Sequence, residues 1–332
     1  MSPNPDGFSR RFENIDADIL REMFRSRDIT IAGIDPRLNA NRIAARLKVS
    51  RARVDSRLKK WTKSGFLRRF DVWPNPALVD RIGFTVDVRV SDRLHKEEVF
   101  QRVGFIDGAA GGLDLVGEWV SLQFVVPSEA DIQRSASLLR GISGIAEVEN
   151  PIPWERLTPA RPLTPLDRRI VRALRRYPTH PISGIARLVG VSTRTVTTRY
   201  GRLLNDLAVW FVPEWDFRVL AQPVALVNLL LEDTARRTFV SRSVREAFPH
   251  SFEFVRVGFG PKIPDRVLEF FLLLPGPAWV EEAERSLRRI PSVESVELLV
   301  LVRTLSFPET FDRFLSEDRH SRSTTRRSDR VD

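Results

Sequence analysis

The 332-residue chain has no cysteine, and it is poor in methionine (2), tyrosine (2) and histidine (4). Without cysteine there are no disulfides, no cysteine nucleophiles and no thiolate metal sites, which suits a reducing compartment. The histidines and tyrosines (His95, His180, His250, His320, Tyr177 and Tyr200) leave little material for general acid–base chemistry. Asp114, Glu118 and Glu253 are not spaced as metal ligands. No cofactor motif is found either: the glycine clusters Gly108 to Gly112 and Gly258 to Gly260 lack the strand-to-helix setting of a nucleotide loop and read as turns. Long apolar runs are also missing. Even the solid run Phe270 to Leu274 is far too short for a bilayer, and the opening MSPNPDGFSRRFEN has no apolar centre like that of a signal peptide. A cytoplasmic protein without a membrane partner, a metal or a cofactor is expected.

What the chain has is positive charge. Lys and Arg outnumber Asp and Glu 53 to 43, for a net charge of +10 and a pI of about 10.7. Such a balance points to an anionic partner without separating nucleic acid from a membrane surface. The charge is concentrated: between Asn39 and Arg69, eleven Lys and Arg face Asp55 alone. With 42% hydrophobic and 29% charged residues, a chain of this length should form two to four domains.

Residues 1–12 are rich in Pro, Ser and Arg and read as a mobile arm. From Asn14, the positions Ile15, Ile19, Leu20, Met23 and Phe24 recur at helical spacing, so a helix should run to about Arg27. After ITIAGIDPR, a second helix is expected from about Asn39 to Leu47. Ser50 can cap a third, which buries Val54, Leu58 and Trp61 and stops at Gly65. Phe66 to Trp73 reads as a short strand pair or wing. Three helices and a basic wing form the pattern of a winged helix-turn-helix, in which the last helix enters the major groove. Arg51, Arg53, Arg57 and Lys60, off the buried stripe, are expected to touch bases, and Arg68 and Arg69 on the wing to touch phosphates.

From Arg81 the period changes. Phe84, Val86, Val88 and Val90 alternate with polar residues, and strand, helix, two strands, helix and strand follow as far as Asn150, in the β-α-β-β-α-β order of a ferredoxin-like domain. The whole program then repeats. IAARLKVS at Ile43 becomes IARLVGVS at Ile185, and Val54, Leu58 and Trp61 become Val196, Tyr200 and Leu203, all at one offset of 142 residues. Thr164, Pro165 and Asp167 make the cap of the first helix of the second copy. In that copy Thr193, Arg194, Thr195, Arg199 and Arg202 are the DNA-contact candidates, together with Thr198. Leu207 stands where the first copy has Gly65, and the following segment is apolar, so a weaker reader is expected there.

The run Ile-Ala-x-x-Leu-x-Val-Ser-x-x-x-Val-x-x-Arg-Leu, followed by Gly65-Phe66-Leu67 and then by Gly117-Glu118-Trp119, resembles the Lrp/AsnC family of transcription regulators, taken twice. The resemblance covers about residues 13–305. It implies helix-turn-helix heads joined by hinge strands to ferredoxin-like domains that dimerise and sense small molecules. An α+β tandem architecture is expected, with a winged helix-turn-helix at 13–74 and 158–216, a ferredoxin-like domain at 75–157 and 217–314, and disordered ends at 1–12 and 315–332. The implied partners are double-stranded DNA, an amino-acid-like effector near Gly117, Trp119 and Gly258, and a second copy, either a homo-oligomer or a pseudo-dimer within one chain. Val120, where the family has aspartate, and Gly258-Phe259-Gly260-Pro261 depart from the effector pattern. The expected function is a sequence-specific DNA-binding transcription regulator and not an enzyme. The alternative is a siroheme (tetrapyrrole) decarboxylase on the same tandem fold, whose site needs positioned His, Tyr and Arg groups that this chain is short of.

Overall fold

In the computed structural model, residues 14–24, 36–156, 159, 161–178, 180–249, 251–254 and 264–316 are described. The N-terminal arm, most of the ITIAGIDPR insertion, Gly258 with its neighbours and the tail beyond residue 316 lie outside them.

The first head is α1 (Asn14–Phe24), α2 (Pro36–Leu47) and α3 (Arg51–Ser64). Helix α2 starts at Pro36, earlier than expected near Asn39, because a first-turn proline has no N–H to leave unsatisfied. The Ser50 hydroxyl accepts the Arg53 N–H at 3.2 Å and caps α3, which ends at Gly65 with φ 80°. Val54 and Trp61 are buried and Leu58 is half-buried, as their spacing requires. The second head repeats this with α6 (Pro165–Arg176), α7 (Ile182–Val189) and α8 (Thr193–Asn205), between which lies the first sheet unit. Thr164 and Asp167 form a complete capping box on α6. Leu207 takes the left-handed turn that Gly65 takes in the first copy, with φ 57°, at a steric cost of about 1–2 kcal/mol that glycine avoids.

The segment expected to be a wing is something else. Strand β1 (Leu67–Pro74) pairs antiparallel with the equivalent strand of the second copy, β7 (Val209–Trp215), as a two-stranded ribbon. Phe70 lies opposite Pro213 and Asp71 opposite Val212. At the offset of the repeat, Pro213 is the counterpart of Asp71 and Val212 the counterpart of Phe70, so the register is self-complementary, as a local two-fold axis demands. Phe66 stacks on Trp215 at 4.7 Å, Trp61 meets the same Trp215 edge-on at 6.0 Å, and Phe70 packs on Phe211 at 4.9 Å. Both heads and the ribbon consequently share one hydrophobic core.

Each half then carries a β-α-β-β-α-β unit. In the first, β2 (Ile82–Val90), α4 (Lys96–Gly104), β3 (Ala109–Leu115), β4 (Trp119–Val126), α5 (Glu129–Arg140) and β5 (Ile145–Val148) give the strand order β5-β2-β4-β3, with the short β6 (Ile152–Pro153) beside β2. In the second, β8 (Val224–Leu231), α9 (Arg237–Ala247), β9 (Phe252–Phe254), β10 (Val267–Leu273), α10 (Trp279–Arg288) and β11 (Val293–Ser306) give the corresponding order β11-β8-β10-β9. The α+β class expected from the sequence is observed. Strand β11 has 14 residues and serves both units: its first part pairs with β8 and its last part with β3, which joins the halves into one antiparallel sheet of nine strands. At this seam Lys96, buried, donates from Nζ to Asp114 Oδ1 (2.9 Å) and to the carbonyls of Leu115 and Trp119, while Arg303 reaches Asp114 from β11.

Two readings of the sequence change here. Of the glycine cluster at 108–112, only Gly108 (φ 90°) turns, and the rest belongs to β3 inside the sheet. Helix α11 (Glu309–Ser316), which carries Phe311, Phe314 and Leu315 on one buried face, closes the fold and runs past position 315, where a disordered tail was expected to begin. Period-2 alternation decides which way each sheet faces. Val86 and Val88 of β2, with Val227 and Leu229 of β8, point toward the helices as two separate cores. Thr85 and Asp87, with Leu226 and Asn228, point the other way into a shared cleft.

Candidate nucleic-acid interface

The third helices of the two heads, α3 and α8, have the same local construction. Each begins at a serine cap, Ser50 or Ser192, that accepts the N–H three residues on, and each buries one stripe: Val54 and Trp61 in α3, Val196, Tyr200 and Leu203 in α8. The opposite stripe is left to solvent. On α3 it carries Arg51, Arg53, Lys59 and Lys63, all exposed, with Lys60 half-buried at its margin. On α8 it carries Thr193, Arg194, Thr197, Thr198 and Arg202, all exposed. Thr195 lies close to the cap, its hydroxyl 2.8 Å from Ser192 Oγ. Arg51 forms a surface pair with Asp55 at 3.3 Å and stays open to water, so that pair is worth little.

The remaining candidates are engaged inside the protein. Arg57 has a side chain only 15% exposed and sits 3.5 Å from buried Asp16 on α1, which also accepts the Trp61 indole N–H at 2.9 Å. Arg199 repeats this in the second head, 3.0 Å from Asp167 on α6 and 3.1 Å from the Thr164 hydroxyl. Burial by itself would raise the Asp167 carboxyl, but the Thr164 hydroxyl and amide and the Arg199 guanidinium outweigh it and hold the group below the ordinary carboxylate range. A depressed carboxylate stabilises the fold above its unfolded pKa and is lost only as pH falls through the lower folded value, so this clamp persists well into acid. In each head a first-helix carboxylate thus ties down the third helix through an arginine. The signal was in the sequence: Arg57 follows Val54 by three and precedes Trp61 by four, which places it beside the buried stripe. The same spacing rule adds Lys59 and Lys63 to the exposed stripe.

Arg68 and Arg69 are likewise committed. Being on the ribbon and not on a free wing, they meet acids of the other copy: Arg68 pairs with Asp216 at 2.7 Å and Arg69 with Glu214 at 2.5 Å. Asp216 also binds Arg218 at 2.7 Å, and against the raising effect of burial Arg218 and Arg68 together keep its carboxyl below the usual range. These partners lie about 145 residues away in the chain, so neither composition nor periodicity could have named them.

Of the residues expected near an effector, Gly117 (φ 87°) makes the turn between β3 and β4, and Trp119 lines the cleft between the two units. Among the described residues no helix is long and apolar enough to cross a membrane.

Comparison with known proteins adds the following. No curated protein matches the chain in sequence. Among solved structures, the siroheme decarboxylase NirDL has 15% identity and a TM-score of 0.45 over 91% of this chain and 97% of its own. The same enzyme in complex with an iron-uroporphyrin III analogue gives 15%, 0.44, 92% and 98%. AsnC of E. coli has 17% identity and a TM-score of 0.28 over 47% of this chain and 99% of its own. The NirDL matches correct one expectation: with an enzyme among the solved structures that span nearly the whole chain, the reading "not an enzyme" is withdrawn. The AsnC-type helix-turn-helix domain matches residues 163–204, which hold α6, α7 and most of α8, in the copy expected to be the weaker reader. The chain therefore carries an AsnC-type helix-turn-helix domain, the DNA-binding unit of the Lrp/AsnC regulators that it resembles.

Proposed function

We propose that the protein is a sequence-specific DNA-binding transcription regulator acting in the cytoplasm, with α3 and α8 as its two recognition helices. The single observation that carries this reading is the stripe of α8 opposite its buried face, within the matched domain, where Arg194 and Arg202 stand exposed among Thr193, Thr197 and Thr198. Arg194 and Arg53, both in the first turn of their helices, are suited to base edges. Arg51, Lys59, Lys63 and Arg202 are suited to phosphates, with Lys60 at the margin. The ribbon couples the heads into one body, so they would meet half-sites about 34–36 Å apart. Arg57, Arg199, Arg68 and Arg69 hold this geometry from within.

The test is selection of bound sites from random duplex DNA, followed by titration of the chosen site by fluorescence anisotropy at several salt concentrations. A two-part consensus is expected. Lys59→Ala and Lys63→Ala should each flatten the salt dependence by about 0.9 in log–log slope. Arg194→Ala should cost about 5- to 150-fold in affinity for the selected site, corresponding to about 1–3 kcal/mol for a bidentate base contact. Arg69→Ala should leave the slope unchanged. Failure to enrich any sequence would sink the proposal, and an unchanged affinity for Arg194→Ala would remove α8 from it.

A further inference from the structure

The cleft between the two sheet units has a volume of about 560 Å³, the size of a small-molecule site. Its walls are aromatic and aliphatic: Trp73 and Trp215 from the ribbon, Trp119 from β4 and Phe271 from β10 all face it. In a chain of net charge +10, its polarity is the unexpected feature. The ionisable residues that line it are Asp87, Glu149 and Glu297, and none of the lining residues is Lys, Arg or His.

We infer that this cleft binds an organic cation, an ammonium group carried on an aromatic or branched apolar body, with the ammonium between Asp87, Glu149 and Glu297 and the body among the tryptophans. Three observations support it. The carboxylates come from both halves of the chain, Asp87 and Glu149 from the first unit and Glu297 from β11 of the second, and they feel one another. Burial pushes the Glu149 carboxyl above its ordinary value, and the charges of Asp87, Glu147 and Glu297 push it further. Of these, Glu147 is already paired with Arg89 at 3.0 Å. A second observation concerns Asn228 on the cleft face of β8: its Nδ2 donates to Glu297 Oε2 at 2.7 Å, while its buried Oδ1 accepts no hydrogen bond. A buried acceptor without a donor is uncommon, and the bond from Nδ2 fixes the Glu297 carboxylate on the cleft wall. Finally, the indole and phenyl faces of Trp73, Trp119, Trp215 and Phe271 offer an aromatic or branched body a large apolar wall to stack against. A zwitterionic amino acid would bring its own carboxylate beside three others with no basic group to receive it, and a polycarboxylate would fare worse.

The inference concerns the cleft alone and holds whether or not the heads read DNA. It is tested on the full chain by isothermal titration with three matched probes: 2-phenylethylamine, phenylalanine and 3-phenylpropionate. The amine is expected to bind, phenylalanine at least tenfold more weakly, and phenylpropionate not at all. Glu149→Gln combined with Glu297→Gln, both exposed at the mouth and so compatible with folding, should weaken the amine at least tenfold. Lowering the pH should weaken it too, because Glu149 takes up its proton at a higher pH than an ordinary glutamate. No binding of the amine at millimolar concentration, equal binding of phenylalanine or phenylpropionate, or an unaltered amine affinity in the double variant would each overturn the assignment.

Discussion

Arg175→Met is expected to lower the unfolding free energy by about 3–5 kcal/mol, the range for removing one partner of a buried ion pair. The side chain is 3% exposed and all of its bonds lead to other parts of the fold. From α6, Nη1 donates to Asp71 Oδ1 and to the Val72 carbonyl, both at 2.9 Å, Nε donates to Asp312 at 2.8 Å, and Nη2 donates to the Pro308 carbonyl at 3.0 Å. One guanidinium therefore holds the second head to the ribbon and to α11. Methionine fills much of the stem's volume but leaves Asp71 charged, buried and short of its counter-ion. Urea denaturation of the full chain gives the measurement. Arg285→Met, which breaks an exposed pair with Glu282, is the comparator and should change stability by no more than about 1 kcal/mol. Adding Asp71→Asn to Arg175→Met should recover part of the loss: the uncompensated buried charge is removed and the one amide oxygen can still accept from the Val72 N–H, as Oδ1 does, although the Trp73 indole, which donates to Oδ2, loses its acceptor. Equal effects of Arg175→Met and Arg285→Met would show that the staple is not a stabilising element.

The second large effect is expected at Gly112, within β3 at the seam between the two units. A Cβ built there would stand 2.3 Å from the Ser121 carbonyl oxygen on β4, a backbone atom that cannot rotate away. Gly112→Ala should cost about 1–3 kcal/mol through forced strand displacement, and Gly112→Val more, because a β-branched side chain adds volume at the same point. Gly201→Ala is the control of opposite sign. It lies inside α8 with nothing within 4 Å of the added Cβ, so alanine should stabilise the helix by about 0.8–1 kcal/mol. Thermal unfolding of the three variants against the parent separates the two mechanisms. Were Gly112→Ala as stable as the parent, the close approach of β3 and β4 would not hold in solution.

Much of the fold was legible because its signals are local. The stripe Val54, Leu58 and Trp61, the serine caps and Gly65 declare α3 within fifteen residues, and the Val86/Val88 alternation declares β2 in the same way. The repeat at a single offset carried those assignments into the second copy, where Val196, Tyr200 and Leu203 are buried as their counterparts predict. α11 was legible in principle from Phe311, Phe314 and Leu315, but a single turn's worth of spacing beside a polar tail is a weak signal.

What the sequence alone determined was the type and order of the elements and which face of each is apolar, since these follow from the periods 3.6 and 2 and from capping chemistry. It also determined that the positive charge gathers on the helix-turn-helix segments. Apart from Arg57, whose spacing already sets it beside the buried stripe, tertiary structure decided how that charge is divided. Arg53 and Arg194 face solvent, whereas Arg57, Arg68, Arg69 and Arg199 are taken up by Asp16, Asp216, Glu214 and Asp167. The pairing of β1 with β7, which turned an expected wing into a ribbon, joins residues that no local pattern connects. So does the cleft, whose three carboxylates come from distant points in the chain and meet only because two sheet faces are brought together. Charge and period are properties of neighbours in sequence; the partner of a charge is a property of neighbours in space.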